Sequence, residues 1–218
     1  MKLDKPKYII LGETYFRFKL DYNESNKKII KQALHKVSYN FEIYNYNKKY
    51  TKITVEFREG SIKTNIVIWA PVLYFAIGHY GDFRSGVDQI LNDSRIFSEY
   101  ISNIIISDPQ ISMDDIARIE KRKGIPGRIK EIYNQIDSIQ RNVNDLTPNQ
   151  MSIRLNEIKQ KISNLSWVLS QNDQQSLLNS LPSEYTTNLP EPNEENTNYL
   201  INRYGLKPDE EIERLENL

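Results

Sequence analysis

The stretch TNIVIWAPVLYFAIGHYGDFRSGVDQILNDSRIFSEYISNIIIS, residues 64–107, is the least polar part of the chain and decides its fold. From Ile66 to Gly78 it carries no charged side chain. This run of about 13 residues is shorter than the roughly 20 apolar residues that a membrane-spanning helix requires. We therefore expect a buried strand that ends near Trp69 and a core helix that begins near Pro71. The alternative is a short segment, residues 66–80, that inserts into a membrane.

The second half of this stretch has the periodicity of an amphipathic helix. Its apolar side chains recur at alternating steps of four and three residues, which is typical of a helix that packs on another helix. The opposite face is charged, and Arg84–Asp88 and Arg95–Glu99 are spaced for ion pairs one turn apart. With the helix from Pro71 it makes a predicted central pair of apolar helices. The seam of this second helix is Phe83, Val87, Ile90, Ser94, Phe97, Ile101 and Ile104.

The residues before this stretch predict a small antiparallel sheet covered by one helix. Residues 8–22 alternate between apolar and polar side chains, as in a half-buried strand. Residues 24–37 have helical spacing, and three further strands are expected at 41–46, 52–57 and 61–69. One helix on one face of such a sheet buries the apolar side chains of both, so we expect a β-α-β-β-β unit in an α+β protein.

Residues 108–171 predict helices only. A capping box at Ser112 indicates a short helix that ends at Gly124. Two longer helices follow, and their apolar side chains keep steps of three and four residues throughout. Thr147 and Pro148 mark the start of the second of these helices. The connection between them is short, so we expect an antiparallel helical hairpin with a coiled-coil seam.

The sequence after Asn172 is polar, acidic and interrupted by prolines. Residues 177–218 hold 3 Lys and Arg against 9 Asp and Glu. Such a segment buries too little apolar surface to offset the entropy of ordering it, so we expect a flexible acidic tail. The predicted domains are therefore an α+β domain at 1–107, a helical hairpin domain at 108–171 and the tail at 172–218.

The composition excludes several kinds of active site. The chain has no Cys and 2 His, so it has no thiolate nucleophile, no disulfide and no standard zinc site. It also lacks the usual nucleotide-binding, metalloprotease, hydrolase and EF-hand motifs. We therefore expect no cofactor and no metal, and we favour a non-enzymatic function. The absence of Cys also fits the reducing cytoplasm, with the inner face of the membrane as the location under the membrane alternative.

Candidate interaction residues occur in two places. The end of the apolar stretch offers aromatic and polar side chains, and a Gly-Pro-Gly loop at 124–127 is flanked by cations. His79 is more simply explained as a residue at the boundary of the apolar run than as a catalytic base. The first set is Trp69, Tyr74, Phe75 and His79; the second is Arg118, Lys121, Arg122, Lys123, Arg128 and Lys130.

Together these patterns predict an assembly module whose helical seams bind another protein or a second copy of the chain. The richness in Lys, Ile, Asn and Tyr suggests an accessory component of a bacterial or phage system. The first alternative is membrane association through residues 66–80, with the cations facing anionic lipid. The second is nucleic-acid binding by residues 1–65, where 14 Lys and Arg exceed 7 Asp and Glu. The zero net charge of the whole chain argues against the second.

Overall fold

The structure is a computed structural model that describes residues 8–41, 52–58, 62–70, 82–204 and 213–214. Within these residues it contains an antiparallel sheet and seven α-helices, which confirms the α+β prediction. A 3-10 turn at Met113–Asp115 precedes the fourth strand. In chain order the elements are β1 (Ile9–Phe18), α1 (Glu24–Phe41), β2 (Lys52–Arg58), β3 (Lys63–Ala70), α2 (Phe83–Ile106), β4 (Ile116–Lys123), α3 (Ile125–Arg141), α4 (Pro148–Ser166), α5 (Gln171–Asn179), α6 (Ser183–Thr186), α7 (Glu194–Tyr204) and β5 (Glu213–Arg214).

The chain forms two compact units, and each draws on three separate segments. The sheet unit comprises residues 10–71, 91–124 and 208–218, and the helical unit comprises residues 1–9, 72–90 and 125–207. Helix α2 contributes its first two turns to the helical unit and the remainder to the sheet unit. The domain boundaries expected at residues 107 and 171 stay a prediction.

The sheet has the strand order β4-β1-β3-β2-β5. Strands β2 and β3, which were expected at 52–57 and 61–69, pair antiparallel from Lys52–Trp69 to Arg58–Lys63. The side chains of β3 from Thr64 to Ile68 are all buried, which places this strand at the centre of the core. A strand was expected at 41–46. Phe41 is instead the last residue of α1, and residues 42–46 lie outside the described part of the chain.

Helix α2 packs against β1 through small and polar side chains. Ser94 lies so close to Gly12 that a Cβ at Gly12 would overlap it. One turn further on, the hydroxyl of Thr14 donates to that of Ser98 at 2.8 Å, and both side chains are buried. Ser94 therefore interrupts the apolar seam because the helix needs a small residue where it crosses the strand. The partner helix expected from Pro71 lies outside the described residues.

The prediction of a helix up to Gly124 is wrong. The capping box of Ser112 and Asp115 exists, but it closes only the 3-10 turn, and the chain then extends into β4. β4 pairs antiparallel with β1, from Gly12–Lys123 to Phe18–Ile116. The backbone groups on this side of β1 need partners, and this requirement overrides the helical spacing of the apolar residues. The turn expected at residues 125–127 is instead the first turn of α3.

The predicted helical hairpin is confirmed as α3 and α4. A capping box formed by Thr147 and Gln150, with Pro148 in the first turn, starts α4. Ile132, Ile136, Ile139, Ile158, Ile162 and Leu165 of the predicted seam are buried, so the two helices bury the inner part of the seam within the helical unit.

The prediction of a flexible tail is wrong for residues 172–204, which form α5, α6 and α7. This segment buries Leu177, Leu181, Tyr185, Leu200 and Tyr204, and Leu181 lies between α5 and α6. Side chains of α4 hold the segment that leads into α7. The Ser163 hydroxyl donates to the Pro190 carbonyl at 2.6 Å, and the Asn164 side-chain oxygen accepts from the Asn193 N–H at 2.8 Å. Few apolar residues are enough to order this segment because polar side chains of α4 form hydrogen bonds with its backbone groups.

Candidate interaction surfaces

The candidates at the end of the apolar stretch fall largely outside the described residues. Tyr74, Phe75 and His79 are not among those residues, and Trp69 lies in β3 opposite Lys52. Residues 66–70 of the proposed membrane segment form part of β3. Across the described ranges, none of the helices has the length and apolar character needed to cross a membrane.

Four of the six candidate cations lie on β4, where they alternate between the two faces of the sheet. Lys121 is on the face that α2 covers, and its amine binds the carboxylate of Glu99 at 3.0 Å. Arg95 binds the same carboxylate at 2.9 Å. Hydrogen bonds from Lys121 and then from Arg95 lower the pKa of Glu99. Lys123, which is exposed, follows Lys121 on this face.

Arg122 is the centre of a charge network on the other face of the sheet. It binds Glu13 at 2.9 Å and Glu120 at 2.6 Å, and its guanidinium lies 4.3 Å from the ring centroid of Tyr15. Burial opposes the charge of Arg122, but its hydrogen bond to Glu120 and the attraction of Glu13 outweigh burial and raise its pKa. Glu13 is 3% exposed, and Arg122 places an opposite charge beside it. Arg118 also pairs with Glu120.

Arg128 and Lys130, the other two candidate cations, belong to the helical unit and have structural roles there. Arg128 donates to the hydroxyl of Tyr204 at 3.0 Å and so connects α3 to the end of α7. Lys130 binds Asp88 at 2.7 Å, which connects α3 to the first turns of α2. The ion pair expected between Arg84 and Asp88 is therefore replaced, and Arg84 pairs with Asp137. The pair expected between Arg95 and Glu99 is confirmed.

The hairpin tip, which we define as residues 140–157, is the most exposed part of the helical unit's long helices. Every residue in it is exposed or half-buried. Val143 and Ile153 are each 50% exposed, although both carry large apolar side chains. The seam below the tip is buried, so the apolar pattern of the two helices continues beyond the part that the fold itself covers.

A groove of about 210 Å³ lies at the base of the tip, between α3 and α4. Two of its six lining residues are apolar, and the others are a cation, a carboxylate, an amide and a hydroxyl. The side-chain oxygen of Gln135 is buried there and has no hydrogen-bond partner among the described residues. A buried acceptor without a donor is costly, and most are satisfied in native proteins. The groove is lined by Gln135, Ser138, Ile139, Arg154, Glu157 and Ile158.

Sequence reasoning did not single out the residues that neutralise the cations, because Glu13 and Glu99 are distant from β4 in the chain. Within the described part of the chain, no three His, Asp or Glu side chains are close enough together to hold a metal ion. Comparisons with protein-family models, with curated proteins and with solved structures found no match. The proposed function therefore rests on the surfaces themselves.

Proposed function

We propose that this chain is a protein-interaction module and that the hairpin tip binds its partner. The observation that carries this proposal is the exposure of Val143 and Ile153, each 50%, at the end of an otherwise buried apolar seam. Aliphatic side chains at such positions contribute to binding when a partner covers them, since each loses apolar surface to water. The inner seam of α3 and α4 is already buried within the helical unit. Of the seam that the helical periodicity of α3 and α4 predicts, the tip is therefore the part that is still exposed to a partner.

The chemistry of the groove indicates a helical partner. A helix laid across the tip would place apolar side chains on Val143 and Ile153, as in other complexes in which a helix packs by its apolar face. Arg154 and Glu157 lie on the rim as opposite charges one turn apart, which sets the orientation of a charged partner. A second copy of this chain and a different protein both fit this description.

A photo-crosslinking amino acid tests the proposal while the partner is still unidentified. It is placed at Ile153, and a matched variant carries it at Asn134, which is exposed on α3 but lies outside both the tip and the groove lining. Under illumination in cells, we expect adducts from position 153 that position 134 does not form. Mass spectrometry then identifies the partner, and an adduct of twice the chain mass identifies a second copy. Equal or absent adducts at the two positions contradict the proposal.

A second experiment measures the same surface in solution. The double variant Val143→Glu, Ile153→Glu puts two charges on the tip, and Asn134→Glu, on α3 outside the tip, is the control for added charge. Because both apolar side chains are half exposed already, the double variant should melt within a few degrees of the wild type. If the partner is a second copy, light scattering will show that the double variant loses the larger species and that Asn134→Glu keeps it.

A further inference from the structure

Among the described residues, the backbone groups on the outer edge of β4 have no strand partner. β4 is the first strand in the sheet order, and no described strand lies on its other side. The N–H of Gly124 donates to the carbonyl of Leu11 at 3.3 Å, so the backbone of Gly124 points toward β1. Backbone groups point alternately to the two sides of a strand. The N–H and carbonyl groups of Lys123, Lys121 and Ile119 therefore point outward.

The opposite edge of the same sheet already accepts a strand. β5 pairs antiparallel with β2, with Thr54 opposite Arg214 and Val55 opposite Glu213. β5 comes from residues 177–218, where 9 Asp and Glu exceed 3 Lys and Arg. Two residues from an acidic segment are therefore sufficient to extend this sheet at the β2 edge. The opposite edge, β4, has 8 residues and is one residue longer than β2, which has 7.

The charge on β4 determines which strand can be added there. β4 carries four cations and one carboxylate. Side by side, the β4 strands of two copies would bring cations against cations, which is destabilising. Carboxylates on an added strand would instead face Arg118 and Lys121, which are 65% and 42% exposed despite their ion pairs. We infer that the outer edge of β4 binds an extended acidic segment of another protein by strand addition.

Charged side chains on an edge strand have another known role, which is to prevent aggregation. The two roles differ in one measurable respect. A protected edge rejects every added strand, whereas a binding edge accepts acidic strands and rejects basic ones. This surface is also separate from the hairpin tip, so the inference does not depend on the function proposed above.

The test uses the full chain and two synthetic peptides with blocked ends, an alternating Glu-Val octapeptide and the corresponding Lys-Val octapeptide. By calorimetry, we expect the Glu-Val peptide to bind, and to bind more weakly as salt is raised. The Lys-Val peptide should not bind. In amide hydrogen exchange, the bound Glu-Val peptide should protect the outward N–H groups of Lys121 and Lys123. The inference is overturned if the Glu-Val peptide does not bind, or if it binds without protecting these amides.

A pair of variants separates the backbone from the charge. Lys123→Pro removes one outward N–H, and proline is tolerated on an edge strand at such a position. Lys123→Ala removes the same charge but keeps the N–H. We expect Lys123→Pro to weaken peptide binding at least about tenfold relative to Lys123→Ala. Equal affinities would overturn strand addition, and a melting curve of each variant confirms that it is folded. The tip variant Val143→Glu, Ile153→Glu should bind the peptide as the wild type does.

Discussion

Replacing Gly124 by Ala tests the packing of β4 on β1. A Cβ at Gly124 would lie 2.5 Å from the carbonyl carbon of Ile10 and 2.8 Å from that of Leu11, and closer still to the Ile10 oxygen. All of these atoms are backbone, so no side chain can rotate away. To restore even a 3.0 Å separation from the Ile10 oxygen, β4 must move by about 1 Å, and its 3.3 Å bond to Leu11 would then be lost.

We expect this substitution to cost about 2 to 4 kcal/mol in the free energy of unfolding. Overpacking a close contact costs about 1 to 3 kcal/mol, and a lost backbone hydrogen bond adds about 1 kcal/mol. The assay is urea unfolding followed by fluorescence in a Trp167→Phe background. Of the 2 Trp in the chain, the one that remains is Trp69 in β3, so the signal comes from the sheet unit.

The control is Ala117→Val, which adds two methyl groups at an exposed position of the same strand. It should change the unfolding free energy by less than about 0.5 kcal/mol. A cost below about 1 kcal/mol for Gly124→Ala, or a cost equal to that of the control, would refute the argument that close backbone approach requires glycine here.

Three further predictions follow from other contacts. Arg122→Ala removes the hydrogen bonds to Glu13 and Glu120, so it should cost about 1.5 to 3 kcal/mol in urea unfolding, while the exposed Arg118→Ala should cost below about 1 kcal/mol. Ending the chain at residue 187 removes α7 and the segment that α4 holds, so calorimetry should show a lower melting temperature for the helical unit. Burial raises the pKa of Tyr133, so the folded state retains this proton longer than the unfolded state. The stability that this difference contributes is complete below about pH 10 and is lost as the pH rises through the higher folded pKa. Between about pH 8 and 11, the urea midpoint of Tyr133→Phe should therefore fall less than that of the wild type.

Local pattern was sufficient where an element's own residues determine its state. The capping box at Thr147 and the steps of three and four along α3 and α4 identified the hairpin. Alternation identified β1, β2 and β3. The inner side chains of the pattern on α3 and α4 and the apolar side chains Phe16 and Phe18 of β1 are those that the fold buries, so tertiary contacts support the local preference there.

Local pattern failed at β4 because the decisive contact is distant in the chain. Ile116 and Ile119 are spaced as on a helix, and Ser112 is placed to cap one. The strand forms because β1 needs a partner along its edge, and nothing near residue 116 reveals that need. The same separation hid the partners of the cations, since Glu13 lies 109 residues before Arg122.

The tail was mistaken for flexible chain because its apolar residues are few. Leu177, Leu181 and Tyr185 nevertheless recur at steps of four, which was a usable signal for a helical segment. The hydrogen bond that Ser163 donates to this segment and the one that Asn164 accepts from it gave no signal, because a polar residue on a helix ordinarily faces solvent.

The pairing of β1 with β4 also has a consequence for synthesis of the chain. Glu13 leaves the ribosome 109 residues before its partner Arg122. At about 5 to 20 residues per second, the edge of β1 waits roughly 5 to 20 seconds for the strand that covers it. During this interval the apolar run Ile9–Leu11 lies beside an open edge, which is the kind of segment that pairs with other chains. Aggregation of this protein during expression should therefore depend on translation speed and chaperone supply more than on the stability of the finished fold.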